Sequence, residues 1–259
     1  MHSLSPTGVC TTCEQPEREL RKWGRGPAPT CTGVRASTRP GRDSDNLVLV
    51  HTNGDQMLAH TEDSVVEDEI LVSARERAED LGADPVPPSV GALLSLFAQM
   101  LGARTVVEIG TGAGVSGLWL LDGMRPDGVL TTIDPEPENQ RAAKEAFRSA
   151  AIAPGRTRLI NGWGLDVLPR LADSSYDIVF VDTAPEDHPL YVEQGVRLLR
   201  PGGVIVFHNA LLGGRVADPT ARDSVTLSVR AAARAIAEDD RLTKVLLPIG
   251  DGLLCASRG

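Results

Sequence analysis

Apolar residues in this chain fall into a regular rhythm from about residue 60 onward, where amphipathic stretches alternate with short, continuous apolar runs. Between Thr61 and Leu81, the positions Val65, Val66, Ile70, Leu71, Ala74 and Ala78 lie close to a helical stripe with acids outside it, which predicts one helix. Gly82-Ala-Asp-Pro-Val86-Pro-Pro breaks that helix, and Ser89–Leu101 predicts a second, more apolar one. Strands are expected at Thr105–Ile109, Val129–Ile133, Thr157–Ile160, Tyr176–Val181 and Val204–Phe207. Helices are expected between them at Glu138–Ala151, Leu165–Leu171 and Pro189–Leu199. A long helix at about Asp223–Glu238 follows. Leu242–Leu247 and Leu253–Ser257 then read as strands around the hairpin signal Pro248-Ile-Gly-Asp-Gly252. Continuous apolar strands separated by helices imply an α/β, doubly wound, mainly parallel sheet covered on both faces, ending in an antiparallel strand.

The stretch TVVEIGTGAGVSG, Thr105 to Gly117, is the chemical focus of this pattern. Three glycines at alternate positions let a turn approach a ligand closely, and the following helix aims free N–H groups at the same place. Two ligand classes use such a turn. Gly112-x-Gly114-x-x-Gly117 satisfies the dinucleotide pattern, and Asp134 stands near the spacing of that pattern's ribose acid. Glu108 distinguishes the two. A carboxylate beside the loop would repel a pyrophosphate by about 4 kcal/mol at 4 Å in an effective dielectric near 20. The same charge favours S-adenosylmethionine, which carries an ammonium and a sulfonium but no phosphate. Glu108, Asp134 and Asp182 all fall at predicted strand C-termini, where ligands of such sheets bind, so the three acids are expected to line one edge.

The first 45 of the 259 residues differ from the rest, being rich in Pro, Gly, Ser, Thr and Arg without an apolar period, and read as a disordered tail. Met57 opens the part that reads as a folded domain, 57–259. Cys10, Cys13 and Cys31 include one C-x-x-C but lack the second pair that a four-ligand zinc site needs, so they read as reduced thiols; Cys255 reads as core. Net charge is −9, and the tail is slightly basic, so the excess of acids lies wholly in the folded part. An acidic chain with 3% aromatics argues against nucleic acid as a partner. No run of 18 apolar residues and no leader-like segment are present, so a cytoplasmic, membrane-independent protein is expected.

The runs VVEIGTGAGVSGLWLL, TTIDPEPE, FVD with Tyr191 downstream, LLRPGGVIVFHNALLGGRVADP and LLPIGDGLL resemble the cation-dependent O-methyltransferases of catechol and caffeoyl-CoA type, over about residues 60 to 257. The resemblance implies a Rossmann-like class I methyltransferase fold of seven strands, the last antiparallel, and a homodimer. It further implies an S-adenosylmethionine-dependent transfer of a methyl group to a hydroxyl of a small, phenolic or catechol-like acceptor. Carried over by position, cofactor contacts fall on Val86, Glu108, Gly110, Thr111, Ser116, Asp134 and Pro135, and substrate contacts on Asp182 and Ala184. Trp163 stands where the family has an acid near the adenine, and reads either as a ring that stacks on the base or as ordinary packing.

The catalytic half departs from the family. Asp182 and Asn209 occupy two metal-ligand positions, but the expected Asp-Asn pair reads His208-Asn209, and the D-A-D-K segment reads Asp182-Thr-Ala184-Pro185, without its lysine base. If Asp182, His208 and Asn209 hold a cation, imidazole disfavours Mg²⁺ and suits Mn²⁺, Zn²⁺ or Fe²⁺. His208 is the candidate base, with Asp182 orienting it or the substrate. His188 reads as a surface loop residue. The alternative to an enzyme is a cofactor-binding protein of the same fold with an idle active site. The acceptor pocket is expected from the Leu211–Pro219 loop and the helix beginning at Thr61.

Overall fold

The computed structural model describes residues 44–259, with side-chain surroundings given from residue 54. The tail expected through residue 45, with Cys10, Cys13 and Cys31, lies outside the described residues up to residue 43. From Ser44 the chain is already helical.

Eight helices and seven strands follow in order: α1 (Ser44–Asp63), α2 (Glu69–Asp80), α3 (Pro88–Leu101), β1 (Thr105–Ile109), α4 (Val115–Gly123), β2 (Val129–Asp134), α5 (Pro137–Ser149), β3 (Thr157–Asn161), α6 (Gly164–Val167), β4 (Tyr176–Val181), α7 (His188–Leu198), β5 (Leu199–Phe207), α8 (Ser224–Glu238), β6 (Leu242–Leu247) and β7 (Leu253–Arg258). The sheet order is β3-β2-β1-β4-β5-β7-β6. β1 to β5 pair in parallel, and β7 runs antiparallel to both β5 and β6. The seven-stranded doubly wound expectation is met.

Alternation along the buried strands separates two cores. Val106, Ile178, Phe180, Val206 and Cys255 face α2 to α5, whereas Val107, Ile109, Val179, Val181 and Phe207 face α6 to α8. The buried positions of the central strands thus alternate between the two helical layers, which is why those strands read as continuous apolar runs.

Two boundaries differ from expectation. The single helix over 61–81 is two helices, broken at Ser64–Asp68. Asp68 explains the restart, since its carboxylate caps the backbone N–H groups of Ile70 and Leu71 at 3.0 and 2.8 Å. The fifth strand begins at Leu199, five residues early, because Leu199 leaves the helix extended and pairs with Tyr176 before the register shift that accommodates Pro201–Gly203. No helix among the described residues is long and apolar enough to cross a membrane.

Candidate active site

β1 pairs with β2 on one side and β4 on the other, so the sheet's topological switch point lies at the C-terminal end of β1. The glycine loop turns there. Gly110 has φ +98°, and a Cβ on it would stand 1.8 Å from the backbone oxygen of Asp182. Only glycine lets the loop and the end of β4 touch in this way. Gly114, at φ +90°, is similarly pressed against Ala143 of α5.

Asp134 at the end of β2 sets the loop's conformation. One carboxylate oxygen accepts from the N–H groups of Thr111 and Gly112, both at 3.0 Å, and the other accepts from Glu136 N–H at 2.8 Å. Two of the loop's amides are therefore committed to a carboxylate, while the first turn of α4 has no side-chain cap. Glu108 is 0% exposed and lies beneath the loop, where the Thr132 hydroxyl donates to its Oε2 at 2.6 Å while Oε1 has no partner. Burial, offset in part by hydrogen bonds from Ser116 and Thr132, pushes its carboxyl up to about 8. The polar chain continues from Thr132 to Thr111, hydroxyl to hydroxyl at 2.7 Å, and to Gln140 of α5.

A cavity of about 330 Å³ opens above the loop, walled by Gly110, Thr111 and Ser116, by Asp84 to Val86, and by Asp134, Asp182, Ala184 and Asn209. A second lobe of about 210 Å³ lies beyond it, where Asp134, Pro135, Trp163, Ala184 and Tyr191 meet. Gly110 and Asp182 border both lobes. Trp163 is 67% exposed, with its ring unclaimed by the core. Of the expected site residues, Val86, Gly110, Thr111, Ser116, Asp134, Pro135, Asp182, Ala184 and Asn209 converge on these two lobes, and Glu108 and His208 line neither. The expected acidic edge is thus made by Asp134 and Asp182, joined by Asp84, a residue that the sequence pattern did not single out. The Leu211–Pro219 loop contributes nothing to the lining; the Asp251 carboxylate holds it through Gly213 N–H at 2.6 Å. In its place the proline-stiffened segment walls the cavity.

Behind Asp182 stands His208, 4% exposed, with Nδ1 at 2.9 Å from Asp182 Oδ1. Its Nε2 has no partner and is turned beneath the tight turn before β7, 3.4 Å from where a Cβ on Gly250 would lie. Burial pulls the imidazole's pKa down, but the hydrogen bond and charge of Asp182, with Asp84 and Asp251, outweigh it and hold the pKa above its ordinary value. The chain then turns through Asn209 at φ +55°, which brings Asn209 to the cavity wall. Among the described residues no three His, Cys, Asp or Glu side chains are grouped to hold a metal.

His188 corrects the expectation of a surface residue. It opens α7, is 1% exposed, and lies with its ring centroid 5.2 Å from that of Phe207. Burial lowers its pKa to about 4, so it is a neutral core ring at physiological pH.

A profile described as O-methyltransferase matches residues 61–258. A Mycolicibacterium vanbaalenii protein that carries a provisional O-methyltransferase name is 61% identical over 225 residues, covering 87% of this chain and 100% of its own. Among solved structures, a Corynebacterium glutamicum protein is similar with TM-score 0.75 and 34% identity, over 80% of this chain and 97% of its own. The O-methyltransferase TomG from Streptomyces achromogenes, involved in tomaymycin synthesis and solved in complex with S-adenosylmethionine, is similar with TM-score 0.70 and 30% identity, over 84% and 99%.

Proposed function

The chain belongs to the O-methyltransferase family matched across residues 61–258, and from that premise we propose that it transfers the methyl group of S-adenosylmethionine to a hydroxyl of a small phenolic or catechol-like acceptor held against Asp182. The observation that carries the reading is the capture of the Thr111 and Gly112 N–H groups by Asp134. It commits two amides of the glycine loop to a carboxylate beneath a cavity whose ionisable side chains are acids, a surround suited to a cationic methyl donor. Gly110–Ser116 would hold the methionine end of the donor, and the second lobe with Trp163 would take its adenine.

The reaction is an in-line displacement. The acceptor oxygen must come within about 3–3.5 Å of the methyl carbon along the S–C axis. As the O–C bond forms and the C–S bond breaks, the acceptor hydroxyl turns strongly acidic and its proton passes to the Asp182 carboxylate, while sulfur leaves as the thioether of S-adenosylhomocysteine. The roles expected from the sequence are therefore exchanged in this reading. Asp182, which borders both lobes, receives the proton, and His208, which lies behind it, is a positioning residue that fixes the carboxylate through Nδ1–H.

The donor set does not fit the divalent cation implied by the resemblance. His208 Nδ1 is engaged by Asp182 and its Nε2 is turned beneath the Gly250 turn, leaving one carboxylate and one amide oxygen where the resemblance implies two carboxylates and an amide, a poorer set for a divalent cation. No step of the proposed mechanism is routed through a metal. The resemblance also implies a homodimer; Leu96 and Met100, exposed one turn apart on α3, offer an apolar stripe that a second copy would cover.

Titration calorimetry tests the cofactor assignment: one S-adenosylhomocysteine per chain is expected and no NADH, and the opposite pattern would overturn it. Transfer to a hydroxylated acceptor that disappears in Asp182→Asn, with S-adenosylhomocysteine affinity kept, separates an enzyme from a same-fold protein that only binds the cofactor.

A further inference from the structure

We infer that Glu62 of α1 is a positioning residue for the methyl donor: by holding the first turn of α3 it sets the place of the Asp84–Val86 wall of the larger lobe. The inference rests on the donor-binding reading above and goes beyond it, to a residue that lines neither lobe. The wall is a strap with little backbone hold of its own. Residues 84–88 read Asp-Pro-Val-Pro-Pro, so the three prolines have no N–H to donate, and the N–H groups of Asp84 and Val86 make no hydrogen bond among the described residues. Val86 sinks its side chain into the core at 1% exposed, but the course of the strap's backbone is set by its two ends.

At the first end α2 closes, with Ala83 N–H on the Ala78 carbonyl at 2.9 Å. At the second end α3 begins with Pro88, and Pro87 before it has no side-chain oxygen to cap the helix. The cap comes from another element. Glu62 accepts from Ser89 N–H through Oε2 at 2.9 Å and from the Ser89 hydroxyl through Oε1 at 2.6 Å. Its charge also suits the positive end of the α3 dipole. Ser89 is 7% exposed, so its two donors depend on this carboxylate rather than on solvent. On the other side the same turn is packed against the bend before β7, where a Cβ on Gly250 would stand 2.9 Å from Val90 and 3.3 Å from Pro87. The start of α3 is therefore clamped between that bend and Glu62, and removing Glu62 frees one side of the clamp and with it the strap that walls the donor.

Titration calorimetry of S-adenosylhomocysteine on the full chain, with urea unfolding of each variant in parallel, tests the assignment. In folded Glu62→Ala the affinity is expected to fall about fivefold or more, the loss of a preorganised wall. Glu62→Gln keeps an oxygen for Ser89 N–H and an amide N–H for the hydroxyl, and should bind within about twofold of the wild type. Ser89→Ala removes one of the two bonds, so its loss should be smaller than that of Glu62→Ala and should not add to it in the double variant. Asp177→Ala is the control for stability alone, since Asp177 accepts from Arg104 and Thr105 N–H at the opposite end of β1. It should lower stability and leave affinity unmoved. Wild-type affinity in folded Glu62→Ala, an equal loss in the Gln and Ala variants, or an equal loss in Asp177→Ala overturns the inference. If Glu62→Ala does not fold, Ser89→Ala decides: weakened binding supports the inference and unchanged binding overturns it. If the wild type itself fails to bind S-adenosylhomocysteine, the parent reading falls and takes the inference with it.

Discussion

Replacing Glu108 by Gln should make the ligand-free protein more stable at pH 8 than the wild type. The carboxyl is fully buried, its Oε1 has no partner, and its pKa is pushed up from 4.5 to about 8. Between these two values the native protein holds a proton that the unfolded chain has released. Stability therefore falls as pH rises through that window, by about 1.4 kcal/mol per unit, and stops falling above pH 8. The full penalty is about 4–5 kcal/mol, of which about 2–3 kcal/mol develops between pH 6 and pH 8. Gln keeps the shape and an acceptor for the Thr132 hydroxyl but does not titrate. Urea unfolding of wild type and Glu108→Gln at pH 6, 7 and 8 should show the gap shifting in the variant's favour by about 2 kcal/mol or more across that range. A gap that does not change with pH would refute the buried-acid reasoning. If the donor's positive charge draws the proton off Glu108, wild-type affinity for S-adenosylmethionine will also rise over this range and the variant's will not.

The remaining expectations concern the loop, the far end of the sheet and the second lobe. Gly110→Ala places a methyl 1.8 Å from the Asp182 backbone oxygen at a left-handed φ, so the loop or β4 must move; S-adenosylhomocysteine affinity measured by calorimetry should fall at least about 100-fold. Asp177, 7% exposed, accepts from Arg104 and Thr105 N–H and pairs with Arg200 at 2.6 Å. Asp177→Ala should cost about 3 kcal/mol and lower Tm by about 6–12 °C in a thermal scan, yet leave cofactor affinity of the folded protein nearly unchanged, because it acts at the opposite end of the strands. Trp163→Ala should weaken S-adenosylhomocysteine about five- to tenfold with kcat almost unaltered, the loss of one ring face.

How much of this was legible in the sequence follows from which interactions are local. The strands and the loop were readable because β-branched runs and alternating glycines impose their conformation within a few residues, and Asp134 and Asp182 followed from their places at strand ends. Register-dependent facts were not readable. That Glu108 lies under the loop, that Asp134 spends its oxygens on Thr111 and Gly112, and that His208 points away from the cavity depend on side-chain directions fixed by contacts 20 or more residues apart. His188 was misread because a histidine between an acid and a proline looks like a loop, and only the packing of α7 against β5 buries it on Phe207. α1 was missed upstream of Thr61 because Thr52-Asn-Gly54 interrupts the pattern with residues that favour turns, a local preference overridden in the fold. Asp84 carries no signal in sequence, since Ala-Asp-Pro is ordinary loop composition.

The claim on which the account turns is that Asp182, steadied by His208 and without a bound cation, receives the acceptor's proton. Transfer of a radiolabelled methyl group from S-adenosylmethionine to a catechol acceptor, measured in excess EDTA and again with Mg²⁺, Mn²⁺ or Zn²⁺, tests it most directly. The account predicts rates within about twofold under all four conditions and at least a 100-fold loss in Asp182→Asn, within the range set for positioned acid–base groups. Activity that vanishes in EDTA and returns with a divalent metal would contradict it.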